Sequence, residues 1–158
     1  MFSFIFACGC LFQNSNQITL DSYEKGYTLY AQNTPTELSE NIKQWVDETL
    51  SFLAPNAAIL EIGSGFGRDA AYIETKGFQV QRTDAVLGFV DSLQAQGHPA
   101  FSFNLLTDPF PQSYDLIFAN AVFLHFNPQE LETSLKTTLE LIAEEHGVSI
   151  IKQDIKIA

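Results

Sequence analysis

Apolar positions along this chain follow two alternating periods. Within TPTELSENIKQWVDETLSFL, the residues Leu38, Ile42, Trp45, Val46, Leu50 and Leu53 recur at three- and four-residue steps, the stripe of a helix with one buried face. Thr34, Pro35 and Glu37 ahead of it have the order of a hydroxyl cap, a first-turn proline and a capping carboxylate, and Pro55 ends the stripe. AAILEIG then predicts a first strand, followed by a helix from Gly67 to Lys76 that closes at Gly77. FQVQRTD predicts a second strand, Val86 to Gln96 a helix closed by Gly97, and AFSFNLL a third strand. After the loop TDPFPQS, the run YDLIFANAV is almost wholly apolar beyond Asp115, as in a strand covered on both faces. NPQELETSLKTTLELIAEEHG repeats the helix grammar, with Asn127 as cap, Pro128 first, Glu130 completing the box and Gly147 closing. VSIIKQDIKI predicts a last strand.

Strand and helix thus alternate about five times, which predicts an α/β fold with a mainly parallel sheet. Right-handed crossovers would put helices on both faces, a doubly wound, Rossmann-like arrangement of about five strands. The turn after the first strand carries Gly63, Gly65 and Gly67, with Glu61 just before them and Asp84 ending the next strand. Glycines there let backbone approach a ligand, and the following helix start offers free N–H donors. Asp84 lies 21 residues after Gly63, the spacing of a carboxylate that accepts both hydroxyls of a ribose. A glycine triplet alone also fits a tight turn; the flanking strand, helix and strand-terminal acid point to a nucleoside. The nicotinamide pattern G-x-G-x-x-G is not met, because Arg68 stands in the third glycine's place. A carboxylate at position 61 would also be awkward beside a pyrophosphate but suits a cationic amino group.

LEIGSGFGRDA resembles motif I of the class I S-adenosylmethionine-dependent methyltransferases, and VQRTDA their acidic second motif. YDLIFANAVFLHF is similar to the family's fourth-strand motif and IAEEHGVSIIKQD to its fifth-strand region, so the resemblance runs from about Tyr23 to Asp154. It implies S-adenosyl-L-methionine as cofactor and a small molecule or a protein as methyl acceptor. It places Glu61 near the amino end of the methionine moiety, and Gly63, Ser64, Gly65 and Gly67 along methionine and ribose. Asp84 would hold the ribose, Ala85 and Val86 would lie beside the adenine, and Asn104 and Leu105 would border its ring. Asn120 and Ala121 would face the sulfonium. YEKGYTLYAQNT resembles the segment that closes over the cofactor in the small-molecule branch, with Tyr23, Tyr27 and Tyr30 as its candidates; packing of a short amphipathic segment is the other reading. The family's sheet has seven strands, so the last two are expected to be absent from this chain. That expectation opens two more: a sheet edge able to pair with another chain, and a nucleoside-binding remnant without activity as the alternative function.

Methyl transfer from a sulfonium needs alignment first, and a base only where the acceptor must lose a proton. His125 in FLHFNP is the histidine nearest the carboxyl ends of the strands and is the candidate catalytic residue; packing beside the helix start at Asn127 is its other reading. His98 and His146 read as structural. Arg68 is expected to reach a carboxylate, of the protein or of the cofactor. Length predicts one domain, with residues 1–20 as an apolar extension and 21–158 as the cofactor-binding domain. A net charge of −11 and the lack of a basic run argue against nucleic acid as a direct partner. The apolar start, Met1 to Phe12, is short of the ~20 residues of a membrane span and has no charged leader. Cys8 and Cys10 read as free thiols in a reducing, cytoplasmic setting, and no Cys/His set has zinc spacing, so no metal is expected.

Overall fold

The computed structural model describes residues 15–143. The elements are α1 (Ser15–Asn33), α2 (Glu40–Leu50), β1 (Ile59–Ile62), α3 (Arg68–Thr75), β2 (Val80–Asp84), α4 (Leu87–Ala95), β3 (Ala100–Ser102), β4 (Leu116–Ala119) and α5 (Pro128–Ala143), with a 3-10 turn at Phe123–His125. The four strands form one sheet in the order β3-β2-β1-β4, parallel throughout. Ile59 pairs with Val80 on one side and with Leu116 on the other, so β1 is central. The chain runs outward from β1 to β3 and then returns to lay β4 beside β1. That reversal opens a crevice at the carboxyl ends of β1 and β4, where ligands of such sheets bind.

Alternation along the strands divides the core in two. Ile59 and Phe118 join Trp45, Val46 and Leu50 of α2 and Ala70 and Ile73 of α3 on one face. The Trp45 and Phe118 rings stack at 4.9 Å. Leu60, Ile62, Ile117 and Ala119 face the other way, toward Phe123 and, on α5, Leu131 and Leu135. Helices therefore cover both faces, as the near-continuous apolar strands require. Arg82 of β2 is buried, and its two terminal nitrogens donate to both carboxylate oxygens of Glu74 at 2.7 and 2.8 Å.

Two helix starts behave differently. At α5, Asn127 Oδ1 accepts the N–H groups of Gln129 and Glu130 at 3.0 Å, and Glu130 accepts that of Asn127 at 2.9 Å, a complete capping box. Asn127→Ala should lower stability by about 1 kcal/mol, read as a shift in urea midpoint at unchanged slope. At α2 the expected cap fails. The helix starts at Glu40 with Ser39 at its cap position. Thr34 instead ends α1, its N–H and its hydroxyl both donating to the Tyr30 carbonyl. The nineteen-residue α1 has only Asn16 buried and no apolar stripe to betray it. The sequence division at residue 20 falls inside it. The apolar start with Cys8 and Cys10, His146, Gly147 and the expected last strand lie outside the described residues.

Candidate functional site

The turn from β1 to α3 is clasped to β2. Ser64 donates its N–H to the Thr83 carbonyl at 2.8 Å, and its hydroxyl accepts the Thr83 N–H at 3.1 Å. Asp84 then binds the turn from the strand end: one carboxylate oxygen accepts the Gly65 N–H and the other the Val86 N–H, each at 2.9 Å. Burial pushes the Asp84 carboxyl above the usual carboxylate range, and these backbone donors oppose that rise. Gly63 has φ +70°, and a Cβ on it would stand 2.6 Å from a methyl of Val122. The loop after β4 thus sits against bare backbone. At Gly65 a Cβ would point into open space.

That space is a cavity, partly open to solvent, at the carboxyl ends of β1, β2 and β4. Its floor is built by Gly63, Gly65, Asp84, Ala85 and Val86, and its sides by Asn104, Leu105, Asn120, Ala121 and His125. Helix α1 supplies the roof with Tyr23 and Tyr30, and also with Asn16, Thr19 and Leu20. The roof is fastened at several points. Asn104 donates from Nδ2 to Asn16 Oδ1 at 2.9 Å, Ser15 donates to Glu130, and Glu24 accepts the Gly88 N–H. The last three roof residues escaped the sequence reading because nothing in their pattern marked a helix.

Most of the sequence-selected residues converge on this cavity, but Glu61, Ser64 and Gly67 do not line it. Ser64 holds the two strands together. Gly67 caps α3 at φ +77°, and a Cβ there would approach a methyl of Leu93 to 2.7 Å, so this glycine admits α4 rather than a ligand. Tyr27 packs on Phe66 and Phe89 beside the wall. Glu61 lies behind the turn, 2% exposed, with Oε2 unpartnered. Burial raises its carboxyl to about 8; the nearby Asp69 adds to the rise, while the Ser64 hydroxyl and Arg82 oppose it. Arg68 reaches a protein carboxylate, Asp69, at 2.9 Å, and Asp69 also accepts from Asn120 at 2.6 Å.

Opposite the floor, the Tyr23 hydroxyl and His125 Nε2 are hydrogen-bonded at 3.1 Å, their rings edge to face at 5.3 Å. Burial lowers the His125 pKa, which favours the neutral imidazole at pH 7. Ala121 holds a left-handed φ of 60° in the same wall, a strained position of the kind found at working sites. Among the described residues no group of acids, histidines and cysteines could hold a metal ion, and no helix is long and apolar enough to cross a membrane.

A family model described as a methyltransferase domain matches residues 60–143. No curated protein matches the chain. Solved structures share its fold. Magnesium protoporphyrin IX methyltransferase from Synechocystis PCC 6803, with bound SAM, is 15% identical at a TM-score of 0.66, covering 83% of this chain and 73% of that one. The CcbJ methyltransferase from Streptomyces caelestis is 18% identical at a TM-score of 0.64, over 80% of this chain and 54% of that one. A TehB-like SAM-dependent methyltransferase from Corynebacterium glutamicum ATCC 13032 Kitasato is 19% identical at a TM-score of 0.59, over 85% and 72%.

Proposed function

The chain belongs to the S-adenosylmethionine-dependent methyltransferase family, and we propose that it methylates a small-molecule acceptor held in the roofed cavity. The cavity suits the cofactor on its own geometry. Gly65 leaves open the space that a Cβ would fill, and the two Asp84 oxygens, each holding one backbone N–H, keep further lone pairs for hydroxyls. When bound, S-adenosylmethionine supplies a methyl group activated by a sulfonium, with a neutral thioether as leaving group.

In this reading Asp84 holds the ribose, while Ala85, Val86, Asn104 and Leu105 flank the adenine. Asn120 and Ala121 border the reacting end. Glu61 stands behind the turn and does not line the cavity, so its buried, protonated carboxyl backs the glycine turn rather than meeting the cofactor as a charge. Tyr23 and Tyr30 close the roof and keep water from the reacting centre. His125, neutral and bonded to Tyr23, receives the proton that an acceptor gives up. The small-molecule choice rests on α1, which narrows access in a way that suits a compact acceptor.

The observation that carries this function is the Asp84 carboxylate at the cavity floor, beside Gly65 and at the point where strand order reverses. Calorimetric titration tests it: S-adenosylhomocysteine should bind the folded chain and NAD should not. A folded chain that ignores S-adenosylhomocysteine would refute it. A smaller effect is expected at the roof. In Tyr23→Phe, the imidazole loses a hydrogen bond to its neutral form, so the His125 pKa should rise in an NMR titration. An unmoved titration would mean that the hydroxyl does not bond to His125 in solution.

A further inference from the structure

We propose that the amide oxygen of Asn120 binds the ammonium group of the cofactor's methionine end, and that Asp69 is the positioning residue that aims it. The inference rests on the methyltransferase reading and deepens the cofactor site. Asp69, in the first turn of α3, is buried. Its Oδ1 accepts from Arg68 Nε at 2.9 Å and its Oδ2 accepts from Asn120 Nδ2 at 2.6 Å. Arg68 also donates to the Pro35 carbonyl at 3.2 Å, which ties these bonds to the segment between α1 and α2. A carboxylate paired with an arginine only accepts, so the Asn120 amide must turn its nitrogen toward Asp69. The amide oxygen is then turned away from Asp69. Among the described residues no donor meets it, it is not one of the atoms sealed in the core without a partner, and Asn120 stands in the cavity wall.

Strand order decides which part of the cofactor arrives there. Asp84 ends β2, Asn104 and Leu105 follow β3, and Asn120 follows β4 on the far side of β1. With the ribose at Asp84 and the adenine flanked by Asn104 and Leu105, the methionine end extends the other way, over the glycine turn of β1 toward β4. Two strand spacings separate the ends of β2 and β4, about 10 Å. That end of the cofactor carries a sulfonium, a carboxylate and an ammonium, and of these the ammonium alone donates hydrogen bonds. A free oxygen acceptor therefore selects it. Glu61, the acid that sequence spacing offers for this group, does not line the cavity. Asn120 takes the role from another strand, and its neutral oxygen does not repel the neighbouring carboxylate of the cofactor as an acid would.

Calorimetry with S-adenosylhomocysteine and its deamino analogue, which lacks only the amino group, tests the assignment. The unsubstituted chain should bind S-adenosylhomocysteine at least about tenfold more tightly than the analogue. Asn120→Ala should weaken S-adenosylhomocysteine at least about tenfold, as expected for a lost hydrogen bond to a charged group, and leave the analogue within about twofold. Asp69→Asn keeps the shape but frees the Asn120 amide to turn over, so it should weaken S-adenosylhomocysteine about threefold or more and again spare the analogue. The double variant should bind no more weakly than Asn120→Ala alone, because Asp69 acts through Asn120. A residue that only holds the fold would weaken both ligands alike. Equal losses for the two ligands, or no loss for S-adenosylhomocysteine in Asn120→Ala, overturn the ammonium assignment, and additive losses in the double variant overturn the positioning role. Asn120→Ala leaves the Arg68–Asp69 pair in place, so it decides the assignment even where Asp69→Asn does not fold. An unsubstituted chain that binds neither ligand refutes the methyltransferase reading itself, whereas equal binding of both refutes only the role given to Asn120.

Discussion

Asp84→Ala should weaken S-adenosylhomocysteine binding by about 1–3 kcal/mol, roughly five- to 150-fold in Kd, in a calorimetric titration. Two losses add up in this variant. The ribose hydroxyls lose a charged acceptor inside a cavity, where unpaired donors are costly. The Gly65 and Val86 N–H groups lose their partners as well, so the glycine turn is no longer pinned to the end of β2. Asp84→Asn separates the two contributions. Its amide oxygen can still accept one backbone N–H, but the charge is gone, so its affinity should fall between those of Asp84→Ala and the unsubstituted chain. Unchanged affinity in a folded Asp84→Ala chain would remove the ribose from this carboxylate.

The legible parts of the molecule are those in which one residue type has one physical use. The strands β1 and β4 are, Glu61 apart, apolar on both faces because helices cover both, and that pattern is visible directly in ILEI and LIFA. The glycine turn and Asp84 are legible because bare backbone beside a strand-terminal acid has few other uses. Helix α1 is hidden for the opposite reason. It roofs the cavity through polar anchors such as Asn16 to Asn104, and it buries too little apolar surface to show a period. The start of α2 is misread because Thr34 has two possible partners, and the end of α1 takes it. Strand β3 is shorter than its apolar run suggests. Beyond Ser102 the chain turns, with the Phe103 N–H donating to the Asp84 carbonyl while Phe103 itself packs into the core.

The three glycines show how far spacing can reach. Their alternate positions suggest one shared task, yet each meets a different neighbour: Val122 at Gly63, open cavity at Gly65 and Leu93 at Gly67. Ligand approach, loop contact and helix packing all demand the missing Cβ, and only the folded surroundings tell them apart. Glu61 teaches the same lesson. Sequence proximity groups it with the glycines, but strand alternation turns it to the face of Ile59, away from the cavity that Ile62 lines.

That placement has a measurable cost in alkaline solution. Glu61 keeps a proton in the folded chain up to about pH 8, against an ordinary value of 4.5. Burial is the main cause: the carboxylate form would sit in the core with Oε2 unpartnered, while the terminal nitrogens of Arg82 on the adjacent strand are held by Glu74. Between those two pH values the folded chain binds one more proton at this site than the unfolded chain does. The stability that this group contributes is whole below the lower value and is lost as pH rises toward the upper one, by about 1.4 kcal/mol for each pH unit. From pH 6 to pH 8 the ligand-free chain should therefore lose about 2 kcal/mol through Glu61, because the slope flattens near the upper value. Glu61→Gln preserves the shape and removes the titration, so its stability should change much less over the same range. Urea unfolding of both chains at pH 6 and pH 8 checks this. If the two lose stability in parallel, Glu61 is already ionised at pH 6, and a partner for its buried carboxylate must exist in solution.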